Sequence, residues 1–130
     1  MLKPFLTLLL LSSSTYCLAD LTLAETIRPT SKSLVNPNIQ RHAIPPTPHN
    51  MSLPAFGQGI IGWGTGPDGA ELRLNNITKT DVEKLKTQDV TLEMIQTWQK
   101  FYENETQRNA GNPTAPFRAQ LMKKITELWN

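Results

Sequence analysis

The chain has 130 residues, room for one small domain, and its 13 basic and 11 acidic side chains nearly balance. A net charge of +2 without a clustered basic face leaves no footprint for nucleic acid, so no nucleic-acid partner is expected. One cysteine, Cys17, excludes a disulfide framework.

Residues 1–19 have the pattern of a secretory signal peptide. Lys3 supplies the positive start, Phe5 through Leu11 the apolar centre, and Cys17-Leu18-Ala19 a small-residue cleavage site. The apolar run is too short to span a membrane, so the mature chain should carry no transmembrane segment and should be secreted or periplasmic after cleavage near Ala19. A lipid anchor on Cys17 would want a small residue before it, and Tyr16 stands there. Cleavage removes the only cysteine, and with it any thiol nucleophile or thiolate metal site. It also removes Lys3, leaving 12 basic side chains against 11 acidic ones, a net charge of +1.

Residues 20–54 hold six of the ten prolines and few large apolar side chains. Leu21, Leu23 and Ile27 are weakly helical in spacing. From Pro29 onward there is no period, so this stretch is expected to be a linker or arm, disordered or draped over the domain. It reads as a spacer in preference to a ligand for an aromatic groove. Both histidines, His42 and His49, lie in it without acidic neighbours, so no metal site and no cofactor are expected.

Residues 55–66, AFGQGIIGWGTG, contain five glycines. Gly57, Gly59 and Gly62 formally match the dinucleotide fingerprint GxGxxG. Proline-rich coil precedes them where a strand should, and no helix follows, so the context fails. The structural reading is Gly-rich coil that lets Ile60, Ile61 and Trp63 plug into a helical core. The alternative is a flexible lip at a binding site, with Trp63 as an exposed anchor. Next, residues 66–69 (GPDG) read as a turn with Asp68 capping a short helix over 70–75. Thr80 with Glu83 has the capping-box spacing for a second short helix, with Val82 and Leu85 facing inward. Gln88-Asp89-Val90 is the turn that follows.

Two longer amphipathic helices end the chain. Thr91 is the N-cap of the first, where Met94, Ile95, Trp98, Phe101 and Tyr102 form one apolar stripe. In the second, Phe117, Leu121, Ile125 and Leu128 recur at i, i+4, i+8 and i+11. Its start is expected at Thr114 or Ala115, which puts Pro116 in the first turn, where a missing N–H costs little. The Asn/Gly/Pro connection is short, so the pair should close as an antiparallel hairpin. The expected architecture is therefore all-α: a small helical domain over 55–130, behind a signal peptide at 1–19 and an arm at 20–54.

Polar residues collect near the tip of this hairpin. Tyr102, Glu105, Arg108 and Asn109 occupy adjacent turns of the first helix, and Asn104, Asn112 and Arg118 come near if the hairpin closes. Three readings are open. Glu105 can serve as an acid or base, or fix a polar ligand, with Arg108 or Arg118 orienting. Glu105 and Arg108 can be a solvated i, i+3 pair worth about 0.3–0.5 kcal/mol. Arg118 can reach back to the last carbonyls of the preceding helix as a structural clasp. The candidate site residues are thus Trp63, Tyr102, Glu105, Arg108, Asn109, Asn112 and Arg118, with Glu105 and Arg108 as the catalytic candidates. Pairs of carboxylates drawn from Asp68, Glu71, Glu103 and Glu105 carry almost no specificity. Asn50, Asn76 and Asn104 each begin a glycosylation sequon, which matters only in a eukaryotic host.

The run Val90-Thr91, Trp98, Phe101-Tyr102, Asn104-Glu105, Arg108-Asn109, Asn112-Pro113, Ala115, Arg118 and Leu121-Met122 resembles a domain family of unknown function. That family occurs in small secreted bacterial proteins and at the ends of larger toxin-like ones. The resemblance covers the last 75 residues at most. It implies that Tyr102, Glu105, Arg108, Asn112 and Arg118 form one recurring unit, and it departs at Pro116 and at Asp89, where glycine is common. The function expected is a non-enzymatic binding or interaction module of the bacterial cell envelope, with a protein or glycan partner. The alternatives are a small secreted effector or hydrolase acting on envelope polymers, and a periplasmic inhibitor or immunity-type protein.

Overall fold

Five α-helices form in residues 33–130, the part of the chain that the structure, a computed structural model, describes. They are α1 (Leu53–Phe56), α2 (Gly66–Asn76), α3 (Lys79–Thr87), α4 (Leu92–Arg108) and α5 (Ala115–Glu127), and a π-helical turn, Gly57–Ile61, continues α1. Among the described residues the sole β feature is an isolated antiparallel bridge between Val35 and Asn109. The fold is all-α. The signal peptide and cleavage site expected over 1–19, and the weak helical pattern at Leu21, Leu23 and Ile27, lie outside the described residues.

The hairpin forms as its apolar period requires. Thr91 adopts extended backbone and its Oγ1 accepts the Met94 N–H at 3.1 Å, which starts α4. Ile95, Trp98, Phe101 and Tyr102 then bury one face against Leu121, Met122 and Ile125 of α5. Each such side chain contributes roughly 1.5–3 kcal/mol on full burial. Helix α5 begins at Ala115 with Pro116 in its first turn, where the sequence puts it. Thr114 does not cap it. Instead Asn112 Oδ1 accepts from Thr114 N (3.1 Å), Thr114 Oγ1 (2.8 Å) and Ala115 N (3.2 Å). An earlier start would carry Pro116 past the first turn, where its missing N–H would cost a helical hydrogen bond, and the Asn112 side chain covers free N–H groups at the start.

The short helices differ from their expected bounds. Helix α2 starts at Gly66 and not at residue 70, because Pro67 belongs to the first helical turn, where its fixed φ is an asset; Asp68 lies in that turn and does not cap it. The capping box of α3 is Thr78 with Asp81, two residues before the expected Thr80 with Glu83. Thr78 N donates to Asp81 Oδ2 (3.0 Å) and Asp81 N to Thr78 Oγ1 (3.3 Å). Both pairs have the right spacing, but only Thr78 has the extended backbone that an N-cap needs. Between α3 and α4, Asp89 is left-handed at φ 64°.

The glycine-rich stretch, expected as coil, is helical through Ile61 and a turn over 62–65. Ser52 Oγ caps α1, which runs directly into the π-turn. There the Gly57 carbonyl accepts from both Gly62 N (2.7 Å) and Trp63 N (2.9 Å), and Gly62, at φ 95°, ends the turn. Those two N–H groups are thereby engaged within the turn, and contrary to the sequence reading a helix, α2, does follow the glycines. A side chain at Gly57 would collide with the Trp63 ring, so glycine is needed there for the indole to lie on the backbone. Ile60 and Ile61 are buried, the plug that the sequence suggests, while Trp63 is only partly buried. Arg73 of α2 locks the turn by donating to the carbonyls of Gly59 (3.1 Å) and Ile60 (3.2 Å).

The compact unit runs from Leu34 to Asn130 and so takes in the second half of the proline-rich segment. Residues 35–46 lie antiparallel along α4 as a strap. Asn36 N donates to the Arg108 carbonyl (2.7 Å), next to the Val35–Asn109 bridge. Further along, Asn104 Nδ2 donates to Gln40 O (3.0 Å) and Asn104 Oδ1 accepts from His42 N (2.9 Å). Trp98 Nε1 then donates to Pro46 O (3.1 Å), and Pro45 and Pro48 are buried. Proline has no N–H to leave unpaired, so a proline-rich chain can lie on a helix without building a sheet.

Candidate binding cleft

Trp98 is the centre from which the site is built. Its ring stacks with Phe56 (5.4 Å between centroids) and Tyr102 (5.9 Å) and meets Trp63 (6.2 Å) and Phe101 (5.5 Å) edge-on. This cluster fixes the orientation of the two polar aromatics. Trp63 Nε1 donates to the Tyr102 hydroxyl at 2.6 Å, joining the glycine-rich turn to α4. Burial pushes the Tyr102 phenol above its ordinary value; the Trp63 N–H, and the charge and hydrogen-bonding reach of the Arg118 guanidinium toward the phenol oxygen, pull the other way.

One turn beyond Tyr102, Glu105 is only 5% exposed. Its Oε1 accepts from Arg108 Nε (3.0 Å) and Nη2 (2.7 Å), and Arg41 Nε of the strap stands 3.4 Å from the same oxygen. The reading of Glu105 and Arg108 as a solvated surface pair is therefore wrong. The strap covers that face, which no pattern within α4 reveals. Glu105 Oε2 takes no hydrogen bond from the described residues.

Arg118 of α5 lies across from them, its guanidinium carbon 5.9 Å from the centre of the Tyr102 ring. Its Nε is buried without a hydrogen-bond partner. It does not reach the last carbonyls of α4, so the clasp fails in the form expected. Those carbonyls are met by Asn109 N on Glu105 O (2.8 Å) and Asn36 N on Arg108 O (2.7 Å).

Together these groups line a cleft of about 280 Å³, bounded by Arg41 and Ile44 of the strap, Trp63 and Gly64 of the turn, Tyr102 and Glu105 of α4, and Asn112 and Arg118 at the hairpin tip. Five of the seven candidate residues thus converge, although they span residues 63 to 118. The other two stand behind. Arg108 holds Glu105 from outside the cleft, and Asn109 pairs with Val35 while its Oδ1 accepts from Gly111 N. The sequence reading missed Arg41 and Ile44 as wall residues and Asn104 as the residue that seats the strap. Nothing local connects residue 41 to residue 105. Asn104 is 9% exposed with both amide atoms engaged, so its sequon is closed to a glycan in the folded chain.

Of Asp68, Glu71, Glu103 and Glu105, only Glu105 lines this cleft. Among the described residues no three His, Cys, Asp or Glu side chains converge as a metal centre needs, and no helix is long and apolar enough to cross a membrane. A larger groove of about 750 Å³ lies between the π-turn, α2 and α3. Two of its charged groups are already engaged, Arg73 on carbonyls and Asp81 in the α3 capping box.

Comparison with curated proteins finds no match. A solved structure, described as the NMR structure of the protein from Acinetobacter baumannii, is 56% identical; the match covers 77% of this chain and 94% of that one, with a TM-score of 0.62. The family model described as "Domain of unknown function (DUF4951)" matches residues 31–129, so the strap lies within the matched unit, which extends beyond the last 75 residues. The chain belongs to the DUF4951 family.

Proposed function

We propose that the chain is a non-enzymatic binding module of the bacterial cell envelope, exported by the signal peptide at 1–19, and that the cleft beneath the strap takes part of a protein or glycan partner. One observation carries this reading. Residues from four separate segments bring a buried carboxylate, a buried guanidinium nitrogen without a partner and a hydrogen-bonded Tyr-Trp pair to one opening. Buried polar groups are normally satisfied within a fold, and an open one beside a cleft points to a ligand. Against the hydrolase alternative stands the single carboxylate that the described residues bring to the cleft, since glycoside hydrolysis of the usual kind needs a second one at a set separation.

The test uses the full chain expressed with its own N-terminus, recovered from the culture and incubated with peptidoglycan fragments and envelope proteins. Retention of an unchanged partner, lost on Trp63→Ala, supports the module. Turnover that disappears with Glu105→Gln while the fold persists replaces it with the hydrolase.

A further inference from the structure

We infer that the cleft captures the free carboxylate end of a peptide, a reading that rests on the binding module proposed above and names what it holds. The hydrogen-bonding groups left over around the opening define the complement. Arg118 Nε–H is buried with no acceptor. Asn112 Oδ1 is fixed by three donors, which settles the orientation of its amide and leaves the NH2 unengaged. The Tyr102 oxygen already accepts from Trp63, and its own hydrogen is given to no described residue. These are three donors, one of them cationic. Facing them is one acceptor, Glu105 Oε2, since Oε1 is taken by Arg108 and approached by Arg41.

Three donors and one anionic acceptor ask for a ligand with a negative group and an N–H beside it. A phosphate would meet the donors but brings no N–H for Glu105 Oε2. A neutral sugar hydroxyl would leave the Arg118 charge without a counter-charge in a partly desolvated site. A terminal carboxylate satisfies Arg118, Asn112 and Tyr102, while the amide N–H of the same residue meets Glu105 Oε2. Its side chain then lies against Ile44, which is 55% exposed, and the edge of Phe101. The volume agrees. About 280 Å³ falls below the roughly 300–1,000 Å³ of pockets that enclose drug-sized ligands, and suits one terminal residue.

The test is an NMR titration of the isotope-labelled full chain, read at the Trp63 indole N–H and the Arg118 Nε–H. The probes are an N-acetylated dipeptide with a free carboxylate, its C-terminal amide, inorganic phosphate and a neutral disaccharide. The expected result is saturable shifts of both signals with the free acid, and binding weakened about tenfold or more by amidation and by Arg118→Gln. The amide comparison needs no variant, so it stands even if Arg118→Gln fails to fold. The inference is overturned if the amide binds within about threefold of the acid, or if phosphate binds as tightly as the peptide. A response to the disaccharide alone overturns this inference and leaves the binding module in place. Silence from every probe at millimolar concentration overturns this inference, while the module stands or falls on the retention of an envelope partner.

Discussion

Replacing Arg118 by methionine separates a residue kept for structure from one kept for a ligand. Methionine retains most of the aliphatic packing and removes the guanidinium. What is lost is the contact with the Tyr102 ring at 5.9 Å, worth about 0.5–1 kcal/mol at a partly open site. What is relieved is a buried Nε–H with no acceptor, a burden of about 1–3 kcal/mol. The balance runs from near zero to a gain of about 2 kcal/mol for Arg118→Met, whereas breaking a buried, well-partnered charge costs about 3–5 kcal/mol. Urea unfolding followed by tryptophan fluorescence reads the change, provided the slope against denaturant is the same in both proteins. A gain of 1 kcal/mol corresponds to a rise in Tm of about 4–8 °C in a domain of 60–100 residues. A loss of more than about 2 kcal/mol would refute the reasoning, because it would mean that Arg118 holds partners the geometry does not contain. A stabilised protein that no longer responds to ligand is the signature of a site maintained at some expense of stability.

The other predictions concern the strap, the α3–α4 turn and pH. Asn104→Ala removes two hydrogen bonds to strap backbone, at 3.0 and 2.9 Å, and should destabilise by about 2–3 kcal/mol. Amide exchange at residues 36–46 should accelerate far more than in α3, and uniform acceleration would show that the strap does not depend on this anchor. Asp89→Gly relieves a left-handed residue at φ 64° at the entropic cost of a freer unfolded chain, for a net gain of about 0.5–1 kcal/mol in thermal unfolding; a loss would mean that the Asp89 side chain makes a contact of its own. Tyr102 is raised from 10.0 by burial, so its contribution is complete below pH 10.0 and declines as pH rises through the higher folded value. Asp81 is lowered from 3.8 by the Thr78 N–H and hydroxyl, so its contribution is present above pH 3.8 and declines as pH falls through the lower folded value. Unfolding midpoints across pH check both, and Tyr102→Phe should flatten the alkaline limb while Thr78→Ala flattens the acidic one.

Much of the fold can be read from local pattern because helices are local objects. The stripe Ile95, Trp98, Phe101 and Tyr102 and the repeat Leu121, Ile125 declare their period within a few turns, and Thr91 and Pro116 mark where the helices begin. Local pattern is weaker where two candidates share one spacing. Thr78 with Asp81 and Thr80 with Glu83 fit the same rule, and backbone conformation chooses between them. The glycine-rich stretch was legible as a plug but not as a π-turn, because what makes Gly57 necessary is an indole arriving from six residues further on.

The site divides in the same way. Sequence alone assembles Tyr102, Glu105, Arg108, Asn112 and Arg118 near one end of a hairpin, since helical period and a short turn are enough to do that. Only the tertiary structure decides that Glu105 is buried, that Arg108 backs it from outside the opening, and that Arg118 is left with a free Nε–H. The burial of Glu105 depends on the strap, whose Arg41 stands 3.4 Å from its Oε1. A proline-rich segment without a period of its own is placed by Asn104, Trp98 and the last carbonyls of α4, and it carries Arg41 to Glu105 across 64 positions of sequence. Burial and charge pairing are set by contacts between distant segments, and no local pattern encodes which residues those will be.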